Sequence, residues 1–439
     1  MPDTTTTDPA PTVATEANSP AFLKAVTQLG EQQAVVTAAA IYNQHGIKLL
    51  EGGVQIDAGL YERLVSHRLS APLDESVATD PPLNGAALRE ACEAAMARLP
   101  FFAQMGPSGR VRGMLLQAIE AIPLPRPVAF QLAVARATRP ALFDHGILMA
   151  LLAAHLVRES GAPLHDMTTA ASAGLLHDLG MLHIDAELLA SANRLTGDAR
   201  RPLYVHPMTS SMLVARFTQY PKTVARAIFE HHELLDGSGY PRGLAGDAIS
   251  PLGRLLSLAE VVTAMFDGDR QHPEQRVSLL LRINPRRFDA ALVPSIQRLL
   301  RAVPAATQGV DTTVGDSVER LRVLANVLNQ WHAAAAESAG ALDAAGNAVL
   351  KSVADQAATL QRMLFEAGIT PEQLDLLGVG AEPDAAFRAE LWALTRELHW
   401  HLRSSANQLR RRWRASAAEP FPPALAKWLD DVEALESAG

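Results

Sequence analysis

Apolar residues along this chain fall into a short strand-like stretch and long helical ones. Ile41-Tyr42, Ile47 to Leu50 and Val54 to Ile56 are brief apolar runs separated by His45-Gly46 and Gly52-Gly53, which predicts short strands joined by tight turns. From about Leu88 onward Ala, Leu, Glu and Arg recur at helical spacing. Prolines at 100, 107, 123, 125 and 127 interrupt them, so several helices packed around one core are predicted. Between Asp144 and Ser160, Leu148, Met149, Leu152 and Leu156 form an apolar stripe whose extension carries His145 inward. Pro221 opens another helix. In it Val224 and Ile228 lead by steps of four to His232, so the pair His231-His232 continues a buried face until Asp236-Gly237-Ser238-Gly239 stops it.

From about Asp316 three amphipathic helices are predicted. Their apolar positions are Leu321, Leu324, Leu328 and Trp331, then Leu350, Val353, Ala357, Leu360 and Leu364, then Leu391, Leu394, Leu398, Leu402, Leu409 and Trp413. The pattern suits an antiparallel three-helix bundle, and equally a module that pairs with a second copy or a protein partner. Arg410, Arg411, Arg412 and Arg414 close the third helix, where they complement its dipole or form a phosphate-binding patch.

Composition adds limits rather than function. With 439 residues, 48 % of them hydrophobic, the chain can bury a large core and form two or three structural units. The single cysteine, Cys92, excludes an intramolecular disulfide framework and any cysteine-rich zinc site, and fits a reducing, cytoplasmic setting. No uninterrupted apolar run reaches the roughly 18 residues of a membrane span. Residues 1–20 are rich in Thr, Pro and Ala, unlike a secretory signal, and are expected to be disordered. The net charge of −8 argues against bulk nucleic-acid binding, while a local cationic pocket can still hold a small anion.

The chemistry concentrates in two motifs. His231-His232-Glu233 is followed by Asp236-Gly237-Ser238-Gly239-Tyr240-Pro241, and upstream His177-Asp178 ends the apolar segment Leu175-Leu176. Neutral imidazoles bind divalent ions, and a carboxylate can bridge two of them. A His-Asp doublet alone means little: His165-Asp166 is another, with no ligand-like surroundings.

Taken in chain order, His145, His177-Asp178-Leu179-Gly180, His206-Pro207, His231-His232-Glu233 with the Gly-Tyr-Pro turn, and Arg254 to Glu260 resemble the HD-GYP family. This branch of the HD-domain metal-dependent phosphohydrolases is matched over roughly residues 139–305. The resemblance implies a mainly all-α fold: an HD-type helical domain with a small N-terminal β-containing element (21–75), a helical linker region (76–138) and a C-terminal helical bundle (306–439). It implies two divalent metal ions, tilted toward Fe or Mn. His145, His177, Asp178 and Glu260 would hold one, and Asp178 would bridge to a second held by His206, His231 and His232. His177 and Asp178 would be central to water activation. The implied substrate is cyclic di-GMP, hydrolysed to linear pGpG or GMP, with Gly239, Tyr240, Arg242 and Arg254 on its side of the site. Tyr240-Pro241 reads equally as a purely structural turn.

Three departures from the family pattern bear on activity. Met181 stands where a lysine is usual, Leu258-Ala259-Glu260 replaces Leu-Ala-Asp with Thr263 in place of a further acid, and Ala141 replaces the glutamate of three-metal members. Ala141 favours two metals over three. Met181 and Glu260 open an alternative: a catalytically weak or inactive protein that binds nucleotide or a partner and signals through its helical C-terminal region. Of the other histidines, His155 is expected at the core edge or surface, and His183 outside the ligand set.

Overall fold

The computed structural model describes residues 18–190, 201–268, 273–284, 286–303, 314–339, 344–366, 385–416 and 421–435. Most of the segment expected to be disordered lies outside them. The chain divides into two compact units, Met1–Asn193 with Arg201–Gly268, and Arg194–Arg200 with Asp269–Gly439. Both are mainly helical, as expected.

The first unit opens with α1 (Pro20–Gln32). Ser19 Oγ accepts the Phe22 N–H at its start and Pro20 occupies its first turn, a fixed-φ residue where no N–H is needed. Four short strands follow: β1 (Val35–Thr37), β2 (Ile41–Tyr42), β3 (Lys48–Leu50) and β4 (Val77–Thr79). They pair antiparallel as β1 with β4, Val36 opposite Ala78, and β2 with β3, Ile41 opposite Leu50. Strands β2 and β3 fall where expected. The third expected strand, Val54 to Ile56, does not form. Its backbone runs beside β1, with Thr37 N–H donating to Val54 O and Ile56 N–H to Val35 O, but Gly53 at φ 81° turns the chain out of regular pairing. Strands β1 and β4 are too short to show a periodicity of their own.

The longer helices of this unit that follow are α2 (Gly85–Arg98), α3 (Gly109–Glu120), α4 (Arg126–Thr138), α5 (Pro140–Glu159), α6 (Leu164–Leu176), α7 (Arg201–Ala215), α8 (Lys222–Glu230) and α9 (Pro251–Thr263), with a few shorter helical turns between them. Asn84, Ser108 and Ser250 cap α2, α3 and α9 through their side chains. Helix α5 is the centre, packed by α2, α3, α4, α6 and α9 and buried on every face from His145 to Leu156. His155 is therefore 3 % exposed and not at an edge: the stripe rule assumes a helix with a wet face, and α5 has none there. Among the described residues α5 alone is long and apolar enough to cross a membrane, and most of it is core.

Two glycines set the crossing of α5 with α6. A Cβ on Gly174 would lie 2.7 Å from Met149 O, and one on Gly146 3.0 Å from Leu175 O. Backbone thus meets backbone, and the rings of His145 and His177 come within 5.2 Å. The N-terminal element is tied to this core by Asp74, which accepts from Gln131 on α4 and from Arg216 just past α7.

The second unit contains α10 (Pro273–Ile283), α11 (Val293–Ala302), α12 (Val314–Ala339), α13 (Ala344–Glu366), α14 (Ala385–Ser416) and α15 (Pro423–Ala434). Its core takes the expected stripes of α12, of α13 from Leu350 to Leu360 and of α14, and adds Leu425, Trp428, Leu429 and Val432 of α15; the side chain of Leu364, also expected in the stripe, lies outside those described. The bundle thus has a fourth helix beyond the three expected. Trp428 packs edge-on to Trp331 at 4.7 Å and donates its indole N–H to Val327 O at 2.9 Å, so its polar tip is satisfied in the core.

Gly174→Ala is expected to destabilise the first unit by about 1–3 kcal/mol through overpacking at the crossing. Chemical denaturation measures it; an unchanged midpoint would mean that α5 and α6 separate without cost.

Candidate metal centre

Three of the ligand-type histidines sit where a helix leaves a carbonyl unused. His177 follows the last turn of α6 and His231 that of α8, where carbonyls lack an intrahelical partner. Their Nδ1–H groups donate to Gly174 O at 2.7 Å and Ile228 O at 2.6 Å. His206 lies inside α7, and Pro207 supplies the equivalent vacancy. Leu203 O would bond the N–H of residue 207, which proline lacks, so it accepts from His206 Nδ1. With Nδ1 donating to the backbone, each of the three rings turns Nε2 toward the site, and that atom is the one left to bind a cation.

Those nitrogens converge. His206 Nε2 lies 3.3 Å from His231 Nε2 and 3.2 Å from His232 Nε2. In a neighbouring group His145 Nε2 and His177 Nε2 lie 2.9 and 3.2 Å from Glu260 Oε2. Asp178 stands between the groups, Oδ2 3.5 Å from His177 Nε2, and Oδ1 3.0 Å from His206 Nε2 and 3.7 Å from His231 Nε2. All seven residues expected as ligands are thus brought together. His177 Nε2 and Asp178 Oδ1 are buried without a well-oriented hydrogen bond among the described residues; the short distance from His206 to Asp178 is one of approach, not of donation.

Two bare nitrogens at such a distance repel unless a proton or cation lies between them. Ligands adjacent on one ion with bonds of about 2.0–2.2 Å stand about 3 Å apart, which is the spacing seen. His206, His231 and His232 could hold one cation, and His145, His177 and Glu260 another; His177, Asp178 and His231 form a third overlapping set. The mixed imidazole and carboxylate donors suit divalent transition metals.

The electrostatics differ between the groups. Burial, reinforced by the neighbouring imidazoles, holds His231 well below its ordinary pKa and pushes His232 down to about 3. Both stay neutral. Burial alone would lower His145 and His177 too, but Glu260 with Asp267 outweighs it at the first, and Asp178 with Glu260 raises the second to about 9. The same pairs keep Asp178 and Glu260 ionised, well below their ordinary values despite burial.

The turn after α8 is held by two buried glutamates. Glu233 accepts from Arg242 N–H at 2.7 Å and Leu244 N–H at 2.8 Å. Glu230 takes Ser250 N–H, Arg226 and Arg242, joining the end of α8 to the cap of α9. Gly239 packs on the chain it follows: a Cβ there would lie 2.4 Å from His232 O. Tyr240 stacks on His232 at 4.5 Å and meets Tyr204 edge-on at 4.9 Å. Arg242 lies over Phe229 beside Glu230, and Arg254 pairs with exposed Asp247 at 3.3 Å.

Sequence reasoning misses Asp267, whose Oδ1 lies 3.1 Å from His145 Nδ1, as well as Glu230 and Tyr204. An isolated Asp-Gly step after a helix reads only as a turn. The departures have structural counterparts. Arg139 donates to the backbone oxygens of Met181 and Ile184, so its charge is already engaged beside the position of the absent lysine. Thr263 closes back on Ala259 O, and Glu260, despite its extra methylene, reaches both histidines of its group. His183 stacks on Phe22 and bonds Ser19, anchoring α1. His165 and Asp166 are exposed and belong to no ligand set.

Residues 129–292 match the HD domain family. The chain is 34 % identical over 123 residues to 3′3′-cGAMP-specific phosphodiesterase 1 of Vibrio cholerae, covering 28 % of each chain. It is 30 % identical over 123 residues to a cyclic di-GMP phosphodiesterase of Pseudomonas aeruginosa, 28 % of this chain and 30 % of that one. This is an HD-GYP-like protein. A third relative, a cyclic di-GMP phosphodiesterase response regulator of Xanthomonas campestris, shares 36 % identity over 95 residues, 21 % of the HD-GYP-like chain and 24 % of its own. The chain thus spans less than a third of the length of each of these relatives. A solved HDG"Y"P protein, Bd1817 from Bdellovibrio bacteriovorus, is 17 % identical with a TM-score of 0.35, covering 49 % of this chain and 70 % of that one; so low a score adds nothing to the argument.

Pro207→Ala separates local stability from site order. Removing an interior proline relieves a cost of about 3 kcal/mol, yet the new N–H competes for Leu203 O. Thermal stability is expected to rise while divalent-metal affinity falls about 10–100-fold, measured by differential scanning fluorimetry and by equilibrium dialysis with elemental analysis.

Proposed function

We propose that this HD-GYP-like protein is a metal-dependent phosphodiesterase of cyclic dinucleotides, with cyclic di-GMP as substrate and linear pGpG or GMP as product. The observation that carries the reading is Asp178, standing between two groups of imidazole nitrogens with one oxygen turned toward each. The names of the relatives support a cyclic dinucleotide, and they divide between cyclic di-GMP and 3′3′-cGAMP.

In this reading His145, His177, Asp178 and Glu260 hold one divalent ion, and Asp178, His206, His231 and His232 the other, with Fe or Mn as the metals. Bound ions supply Lewis acidity that activates water near neutral pH and offsets charge on the phosphate. The chain's own part is orientation. Three backbone carbonyls fix the tautomers of His177, His206 and His231, and burial of the Nε2 atoms keeps bulk water from competing for them. Tyr240, held by His232 and Tyr204, offers an aromatic surface to a base, and Gly239 lets the turn approach closely. Arg242 is 45 % exposed while pairing with Glu230, and Arg254 pairs with Asp247, which is 99 % exposed. In this reading both guanidinium groups meet phosphate through charge-assisted hydrogen bonds.

A second reading, slow turnover or binding alone, rests on Met181. The nearby Arg139 is committed to backbone carbonyls and does not replace the absent ammonium group. Restoring it with Met181→Lys is expected to raise kcat/KM by about tenfold to more than a hundredfold, the equivalent of about 1.5–3 kcal/mol for one charge-assisted contact.

The direct test is chromatography of products from cyclic di-GMP and 3′3′-cGAMP after anaerobic loading with Fe(II) or Mn(II), with Asp178→Asn as control. Linear dinucleotide or mononucleotide formed by the wild type and lost in the variant is expected. Two bound metals with no product from either substrate would overturn the phosphodiesterase reading in favour of a receptor.

A further inference from the structure

His145 is the exception among the converging rings. It lies in the second turn of the continuous helix α5, where the carbonyl three residues back already serves the helix ladder. The device used by His177, His206 and His231, an Nδ1–H donated to a vacant backbone oxygen, is closed to it. Its Nδ1 instead faces Asp267 Oδ1 at 3.1 Å while its Nε2 faces Glu260 Oε2 at 2.9 Å. Both carboxylates come from one stretch of chain, α9 and the turn that ends it. Asp267 follows the single turn Ala264–Phe266, and Gly268 at φ 64° takes the chain sharply away, a conformation that favours glycine.

We propose that Asp267 is the positioning residue for His145, holding the proton on Nδ1 and aiming Nε2 at the donor group of Glu260 and His177. This rests on the metal-binding reading above. A carboxylate is a stronger acceptor than a carbonyl and makes the opposite nitrogen a better donor to a cation. The two donor groups are therefore built differently: His206 and His231 lean on main chain alone, whereas the group of His145 and His177 leans in part on the Asp267 side chain, which is 37 % exposed. The consequence is selective. Loss of Asp267 weakens one metal equivalent and spares the other.

The test uses the full chain and Zn(II), which is diamagnetic and fits the donor set. Equilibrium dialysis with elemental analysis gives stoichiometry and affinity, and proton–nitrogen correlation of the histidine rings reports the His145 Nδ1–H, assigned against His145→Gln. For Asp267→Ala, one equivalent is expected to weaken about 10–100-fold with loss of that Nδ1–H signal, the second equivalent unchanged. Asp267→Asn, which keeps an acceptor of the same shape, is expected to retain the signal and most of the affinity, and it carries the test if the alanine variant does not fold. Two equivalents at wild-type affinity in Asp267→Ala, or equal weakening of both, would overturn the assignment while leaving the metal reading intact. A wild-type chain that binds no Zn(II) would overturn both.

Discussion

Bare imidazole nitrogens do not crowd together unaided, and the first unit is organised around making them do so. A neutral histidine with its proton on Nδ1 carries a lone pair at Nε2, and several such lone pairs a little over 3 Å apart repel one another in a dry site. The fold meets that cost with packing. Helices α5 and α6 touch backbone to backbone at Gly146 and Gly174, the turn at Gly239 folds onto the end of α8, and Glu230 ties α8 to the cap of α9. Each of these contacts lies within a few residues of a converging side chain. The energy stored in core packing holds an arrangement that the side chains alone would not choose, and that a cation relieves.

Orientation is achieved with little extra material. At His177 and His231 the helix simply ends, and the imidazole takes over a carbonyl that would otherwise turn to water. At His206 the helix continues, and a proline creates the same vacancy from within. The His-Pro pair is thus less a helix boundary than a way of freeing one acceptor without stopping the helix. The common outcome, one tautomer at three positions, comes from backbone geometry and needs no dedicated partner side chains.

Much of the site was legible in the sequence because its residues cluster in short motifs at helix ends, where capping chemistry and apolar spacing leave clear marks. His177-Asp178 after an apolar run, and His231-His232 before a glycine-rich turn, declare both their chemistry and their burial. What stays hidden depends on long-range approach. Asp267 has an ordinary neighbourhood and gains meaning only because α9 returns beside α5. His155 misleads because a one-sided stripe cannot report a helix enclosed all round. Strands β1 and β4 are too short to show a period, while α15 carries a readable stripe in Leu425, Trp428, Leu429 and Val432 that the three-helix expectation leaves out.

Asp267 also stands one residue before Gly268, where the first unit ends and the chain continues into the second. The shortest covalent path from the helical bundle to the site therefore reaches the carboxylate beside His145 before it reaches any helix that carries a ligand. A change of backbone at Gly268 would therefore bear first on the aim of a single ring, while the backbone-held His206 and His231 stay anchored to their own helices.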